Sequence, residues 1–306
     1  MSTMNSRRGL MAATCFTAIL SACSHDAVGP GASTPLTQQQ GMQVGARLSR
    51  EMALSLNSLT LGGSGGVAAA SLGMSAHAAL ASADSGAPCP TPDNTTDSDH
   101  DGIPDNATMT FALPQCQNVT DGDTTEVTGV VHIADPVFSP PPDPQAFGYQ
   151  ATFVNLTVHF GAMDPDSSFT ETRNGTDALL VSGQGLAQEH GFDIVHQDHN
   201  GTAHVVDLWH STFSPAPGLA LIVGSPLPHG FFAAQGQTSW QSGNAAQRFE
   251  IATVRPLEYD PTCPANAANP IRSGEVHAHV TGPGEQAFVR ILFMDCEAPS
   301  VTVGHD

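Results

Sequence analysis

From Cys89 onward the apolar residues of this chain recur at every second position, and that period decides most of what it can fold into. Val154, Leu156, Val158 and Phe160 alternate with Asn155, Thr157 and His159, and Val276, Ala278 and Val280 alternate with Glu275, His277 and His279. Successive side chains of a β-strand point to opposite faces, so each such run buries one face and wets the other. Asn174-Gly175 and Asn200-Gly201 lie between runs of this kind and read as two-residue hairpin turns. Ser242-Gly243-Asn244 and Gly282-Pro283-Gly284 read as further turns, and Pro140-Pro141-Pro142-Asp143-Pro144 as an exposed connector. Strands joined by turns, with few helical runs, predict a mainly β fold: an antiparallel sandwich or a strongly curved sheet. Aromatic residues are 6% of the chain, so the core must come mostly from Val, Leu, Ile, Ala and a few Phe.

A helical period occurs only near the N-terminus. Val44, Leu48, Met52, Leu56 and Leu59 fall three or four apart, with Arg47, Arg50 and Glu51 between them. Gly62-Gly63-Ser64-Gly65-Gly66 then breaks the chain, and the Ala-rich run from Val67 to Ala81 predicts a second helix. Their composition is weak for an independent fold, so both are expected to dock on the β domain. The resulting organisation is a signal over 1–22, a flexible tether over 23–40, a short helical segment over 41–85 and a β domain over 86–306. The Gly-Ser run matches G-x-S-x-G literally. A nucleophile there needs a strand before it and a helix after it, and here the run is a linker.

The first residues read as basic, then apolar, then small. Arg7-Arg8 precede a run from Gly9 to Leu20 that falls short of the roughly 20 residues a membrane span needs. Leu20-Ser21-Ala22-Cys23 resembles the lipobox of bacterial lipoproteins. The resemblance implies cleavage before Cys23 and acyl chains, palmitate among them, on that cysteine, so that the membrane is a partner through the lipid. Ser24 in place of Asp implies, by the same likeness, sorting to the outer membrane. Ser6-Arg7-Arg8-Gly9-Leu10-Met11 also looks like a twin-arginine export signal.

Cysteine usage fits an exported chain. Of six cysteines, Cys15 lies in the signal and Cys23 at the lipobox, which leaves Cys89, Cys116, Cys263 and Cys296. Four cysteines allow three pairings. Cys89–Cys116 and Cys263–Cys296 are expected, because each pair brackets a compact strand-bearing segment. Each loop of roughly thirty residues would contribute about 3–4 kcal/mol. Charge is one-sided: 29 Asp plus Glu stand against 9 Arg, with no Lys. A surface this negative repels phosphate backbones, which excludes nucleic acid as a partner and favours cations.

The strongest local motif is Asp97-Ser98-Asp99-His100-Asp101-Gly102-Ile103-Pro104-Asp105. Four carboxylates in a tight loop repel one another unless a cation sits among them, and a hard cation wants six to eight oxygens. Asp97, Asp99, Asp101 and Asp105, with the Ile103 carbonyl, form the expected Ca2+ set, and Gly102 permits the sharp turn. The segment resembles the calcium loops of EF-hands, dockerins and thrombospondin type 3 repeats. Thr108 replaces the bidentate Glu of an EF-hand, and Asn106–Phe111 looks like a strand, so the thrombospondin-like structural loop is the nearer likeness.

Histidines supply two weaker metal candidates. Folding a hairpin about Asn200-Gly201 puts His199, His204 and His210 on one face with Gln197 and Asp193. His196, Asp198 and Asp207 fall on the other with Phe192 and Trp209. Neither face brings three ligands to one point, as a tetrahedral zinc site requires. Alternation also puts Glu275, His277 and His279 on one face, weakly similar to the cupin motif, whose later acid is matched only by Glu285 beyond a turn. No complete catalytic set emerges. The leading expectation is a non-catalytic envelope lipoprotein whose calcium-stabilised β domain binds or carries a ligand at the outer membrane. A metal-dependent hydrolase and a structural surface protein are the alternatives.

Overall fold

The computed structural model describes residues 36–58, 89–99, 103–120, 122–136, 148–164, 168–182, 185–222, 227–243, 245–263, 270–281 and 287–305. The expected signal, most of the tether, Leu59, the second helix and the connector at 140–144 lie outside them, as does the Gly282-Pro283-Gly284 turn. Helix α1 spans Gln38–Ser58. It starts on a capping box: the Thr37 hydroxyl accepts from the Gln40 backbone N–H at 3.2 Å, and the Gln40 side-chain oxygen accepts from the Thr37 N–H at 3.1 Å. Val44, Leu48, Met52 and Leu56, the stripe read from the sequence, are all buried.

Among the described residues thirteen strands follow: β1 Thr91–Pro92, β2 Asn106–Phe111, β3 Gln117–Thr120, β4 Asp123–Ala134, β5 Gly148–Gly161, β6 Phe169–Ser182, β7 Gly185–Asp198, β8 Gly201–Pro215, β9 Gly230–Ser242, β10 Ala245–Tyr259, β11 Ile271–Val280, β12 Ala287–Met294 and β13 Ser300–His305. They form one antiparallel sheet in almost strict sequence order, with β3 folded back beside β4. Both expected disulfides are present, Cys89–Cys116 before β3 and Cys263–Cys296 between the β10 and β12 ends.

The sheet is open, and α1 shows how strongly it rolls. A Cβ added at Gly41 would strike Val303, and one at Gly45 would strike Val301, so the first turns of the helix lie directly on β13. Arg47, only two residues on, reaches Asp207 of β8 at 3.2 Å and Glu171 of β6 at 3.6 Å. On a flat sheet β6 and β13, seven strand spacings apart, would be about 34 Å from each other. Both can touch one helical turn only if the sheet curls around it. The inward face is apolar over nearly its whole width, from Met109, Val131 and Phe153 through Ile194, Val205 and Phe249 to Val289 and Ile291. The curved-sheet reading therefore holds, with α1 in the hollow.

Two local expectations change. Asn174-Gly175 is not a turn but the middle of β6, where Asn174 pairs with Asp193 and Gly175 with Phe192. Gly175 has φ 143°, and a Cβ there would sit 2.0 Å from the Gly191 carbonyl oxygen, so the glycine serves a close strand approach. The Asn174 side chain accepts from the Asn155 N–H at 2.8 Å. Asn155 is at φ 47° in a break of register that turns Val154 outward, which interrupts the alternation expected there. The β7–β8 hairpin does form, but its loop residues are His199 and Asn200, and Gly201 already pairs with Asp198. Ser242 pairs with Ala245, so β9 turns into β10 where expected, and Asn244 itself lies outside the described residues.

Candidate functional site

The most unusual chemistry of the described residues lies where α1 meets the sheet. Arg47 and Glu51, one turn apart, are each 4% exposed, and Asp207 is 1% exposed. Strand alternation brings Glu171 and Arg173 of β6 and Asp207 of β8 to the inward face beneath them. Arg173 donates through Nη2 to Glu51 Oε1 at 2.8 Å and through Nε to Glu171 Oε1 at 2.7 Å. Its guanidinium also lies 5.8 Å above the Phe192 ring. Arg47 donates to Asp207, which in addition accepts from the Thr238 hydroxyl of β9. His196 of β7 approaches Glu171 Oε2 to 3.2 Å from the wetter side. Burial opposes charge on both arginines, yet the surrounding carboxylates outweigh it and hold both above the ordinary arginine range. Arg47 and Glu51 read as wet helical positions in the sequence. Their partners lie more than a hundred residues away, and no local signal could announce them.

A second buried polar group sits further along the same face. Asp177 of β6 accepts from the Tyr149 hydroxyl at 2.7 Å and from the Gln188 amide at 3.0 Å, and Ser211 donates to Gln188 at 3.3 Å. Burial pushes the Asp177 carboxyl up from its ordinary value, while His190 and these donors oppose the shift. The His190 ring stacks on Trp209 and is tilted against Phe192.

The acidic loop hangs between β1 and β2, braced by Cys89–Cys116 and by the buried Ile103 side chain. Asp99 is buried, and Asp105 accepts from the Ser98 N–H at 2.8 Å and hydroxyl at 2.5 Å, which holds its carboxyl below the ordinary range. The Asp105 carbonyl accepts from the Asp135 N–H at 3.2 Å, bringing a further acid alongside that the motif did not announce. Asp101 lies outside the described residues. Thr108 has left the loop: it pairs with His132 in the β2–β4 ladder, and its hydroxyl meets that ring at 3.2 Å.

The outward histidines are spread along strands. His204 pairs with Asp193 at 2.5 Å, His210 lies 3.6 Å from Glu189, and His199 occupies the hairpin loop. Six residues of extended strand set His204 and His210 about 20 Å apart. Glu275, His277 and His279 do share the outward face of β11. Glu275, however, is clamped by Arg290 Nε at 2.7 Å, His277 Nε2 at 2.8 Å and Arg255 Nε at 3.0 Å. These bonds push its carboxyl down to about 2. His277 and His279 flank the Phe288 ring at 5.0 and 5.4 Å. Among the described residues no group of three or more His, Cys, Asp or Glu side chains is arranged to hold a metal ion. No family model matches this chain, and no curated protein or solved structure does either.

Proposed function

We propose that this chain is a non-catalytic lipoprotein of the bacterial cell envelope, held at the outer membrane by acyl chains on Cys23, whose β domain binds and carries an apolar ligand. The observation behind carriage is the rolled open sheet with an apolar hollow, occupied by a helix that belongs to a separate stretch of sequence. An acyl chain would take the place of the apolar stripe of α1 there, with the helix displaced. The lipobox likeness supplies the location. Calcium at Asp97, Asp99, Asp101, the Ile103 carbonyl and Asp105 would stiffen the loop beside β2, with an affinity in the range of about 10⁻⁴ to 10⁻³ M usual for extracellular sites.

Two measurements on the full chain test this reading. Titration with a fluorescent fatty acid should show saturable binding, and no binding would remove carriage. Elemental analysis of protein purified without chelator and dialysed against dilute calcium should give one calcium per chain, lost on Asp99→Ala. Zinc, manganese or iron near one per chain would instead favour a metal-dependent hydrolase built on the histidines.

A further inference from the structure

Three ion contacts cross from α1 to the sheet: Arg47 to Asp207 at 3.2 Å, Arg47 to Glu171 at 3.6 Å and Arg173 to Glu51 at 2.8 Å. Each of these five ions also has a partner on its own side. Arg47 lies 3.7 Å from Glu51, one turn along the same helix. Arg173 donates to Glu171 at 2.7 Å within β6, and Asp207 accepts from the Thr238 hydroxyl of the neighbouring β9. Removing one member of a buried ion pair is destabilising because the other is left alone at low dielectric. Lifting α1 as a whole leaves none of the five alone, and it returns them to water. Arg47 gains most, since its Nε and Nη1 are buried in the docked state with no hydrogen-bond partner.

The rest of the seat is apolar, and at one end it is smooth. The helix meets β13 through Gly41 and Gly45, one turn apart, so no side chain at either position interlocks with Val303 or Val301. The remaining contact is the stripe Val44, Leu48, Met52 and Leu56, which shares one buried cluster with the inward face of the sheet. Apolar burial is non-directional and roughly proportional to area, so another apolar molecule of similar area can replace the stripe. The contacts that hold α1 are thus ones that solvent can satisfy or an apolar chain can exchange.

We infer that α1 is a displaceable plug: it leaves the sheet as a unit while the strands stay folded, and an apolar ligand occupies the hollow only in exchange for the stripe. This rests on the carriage reading and adds that helix docking and ligand binding exclude each other.

Position 41 offers a lock. A Cβ built at Gly41 lies 3.5 Å from Val303 Cβ, within the span of about 3.5–4.5 Å that a disulfide bridges. The full chain in nonionic detergent is compared with cross-linked Gly41→Cys/Val303→Cys, its bridge verified by peptide mass, and with Gly41→Ser/Val303→Ala, which cannot cross-link. In the parent, α1 amides corrected for intrinsic rates should exchange with deuterium at least 10-fold faster than those of β7 and β8. The cross-link should remove that difference and weaken binding of a fluorescent fatty acid at least 10-fold relative to the Ser/Ala variant. Leu48→Ala loosens the plug and should tighten the fatty acid at least 5-fold, the opposite of losing a wall of the binding site. The exchange and Leu48→Ala arms decide the matter whether or not the cross-linked chain folds. Equal affinity of the cross-linked and Ser/Ala variants, α1 amides protected as long as those of β7 and β8, or no gain in Leu48→Ala would overturn the plug and leave carriage standing. Absence of fatty-acid binding in parent and Leu48→Ala alike would remove carriage and plug together.

Discussion

Replacing Arg173 by Met should cost the protein about 3–5 kcal/mol, the usual penalty for leaving a buried ion without its partner. Arg173 donates to Glu51 and Glu171, both buried, and its loss strips a hydrogen-bonded cation from each. Methionine fills most of the guanidinium stem's volume, so the loss is electrostatic rather than a cavity. Glu51→Met should cost a similar amount. The double variant removes both members of a pair and replaces them with apolar volume, a change that is often close to neutral. The two effects should therefore fall short of additivity by about 2 kcal/mol or more, well beyond the few tenths expected of independent sites. Urea unfolding at pH 7 with both disulfides intact, followed by tryptophan fluorescence and far-ultraviolet circular dichroism, gives all four corners of the cycle. A single variant within about 1 kcal/mol of the parent would show that the pair is solvated. Strict additivity would show that α1 and β6 are not coupled through it.

Three further perturbations probe other levels of the fold. Leu48→Ala, at the buried centre of α1, should cost about 2–5 kcal/mol in the same urea assay. Gly175→Val combines a positive φ with a clash against the Gly191 carbonyl and should cost more than about 3 kcal/mol, visible as loss of soluble, cooperative protein. Glu275, held near 2, binds its proton less readily in the native state than in the unfolded chain, so its contribution is fully present above pH ~4.5 and is lost as pH falls toward 2. In Glu275→Gln the drop in unfolding midpoint between pH 5 and pH 2 should be shallower than in the parent; an unchanged slope would mean that the Arg255–Glu275–Arg290 clamp is open in solution.

What the sequence disclosed and what it hid follow the range of each interaction. Hydrophobic periodicity is local: alternation at period two announced the strands around Leu156 and Val276, and a spacing of three or four announced the apolar stripe of α1. Disulfide pairing was readable because each pair encloses one short segment. Asn174-Gly175 misled because the dipeptide reports only tolerance of unusual backbone, and a close strand approach uses that tolerance as readily as a turn does. The seam was illegible for a different reason. Arg47 and Glu51 look like ordinary wet positions until β6 and β8 arrive opposite them, and only the roll of the sheet brings those strands there. Asp135 was hidden more simply: it follows Ala134, which pairs with Asn106 in the β2–β4 ladder, and so lies beside the acidic loop from outside the motif.

The seating of α1 against β13 has a consequence for the order of assembly. The helix is synthesised before every described strand, yet Gly41 and Gly45 close on Val303 and Val301 of β13, more than 250 residues further along. Neighbouring strands can zip together locally as they appear, so the meander needs little search. The helix cannot finish docking until the final strand is in place, and meanwhile its apolar stripe must be sheltered by half-built sheet, by a chaperone or by another molecule's hollow. A ribosome paused before residue 300 would therefore hold α1 without the β13 cover that Val301 and Val303 supply, and β13 acts as a latch on the helix.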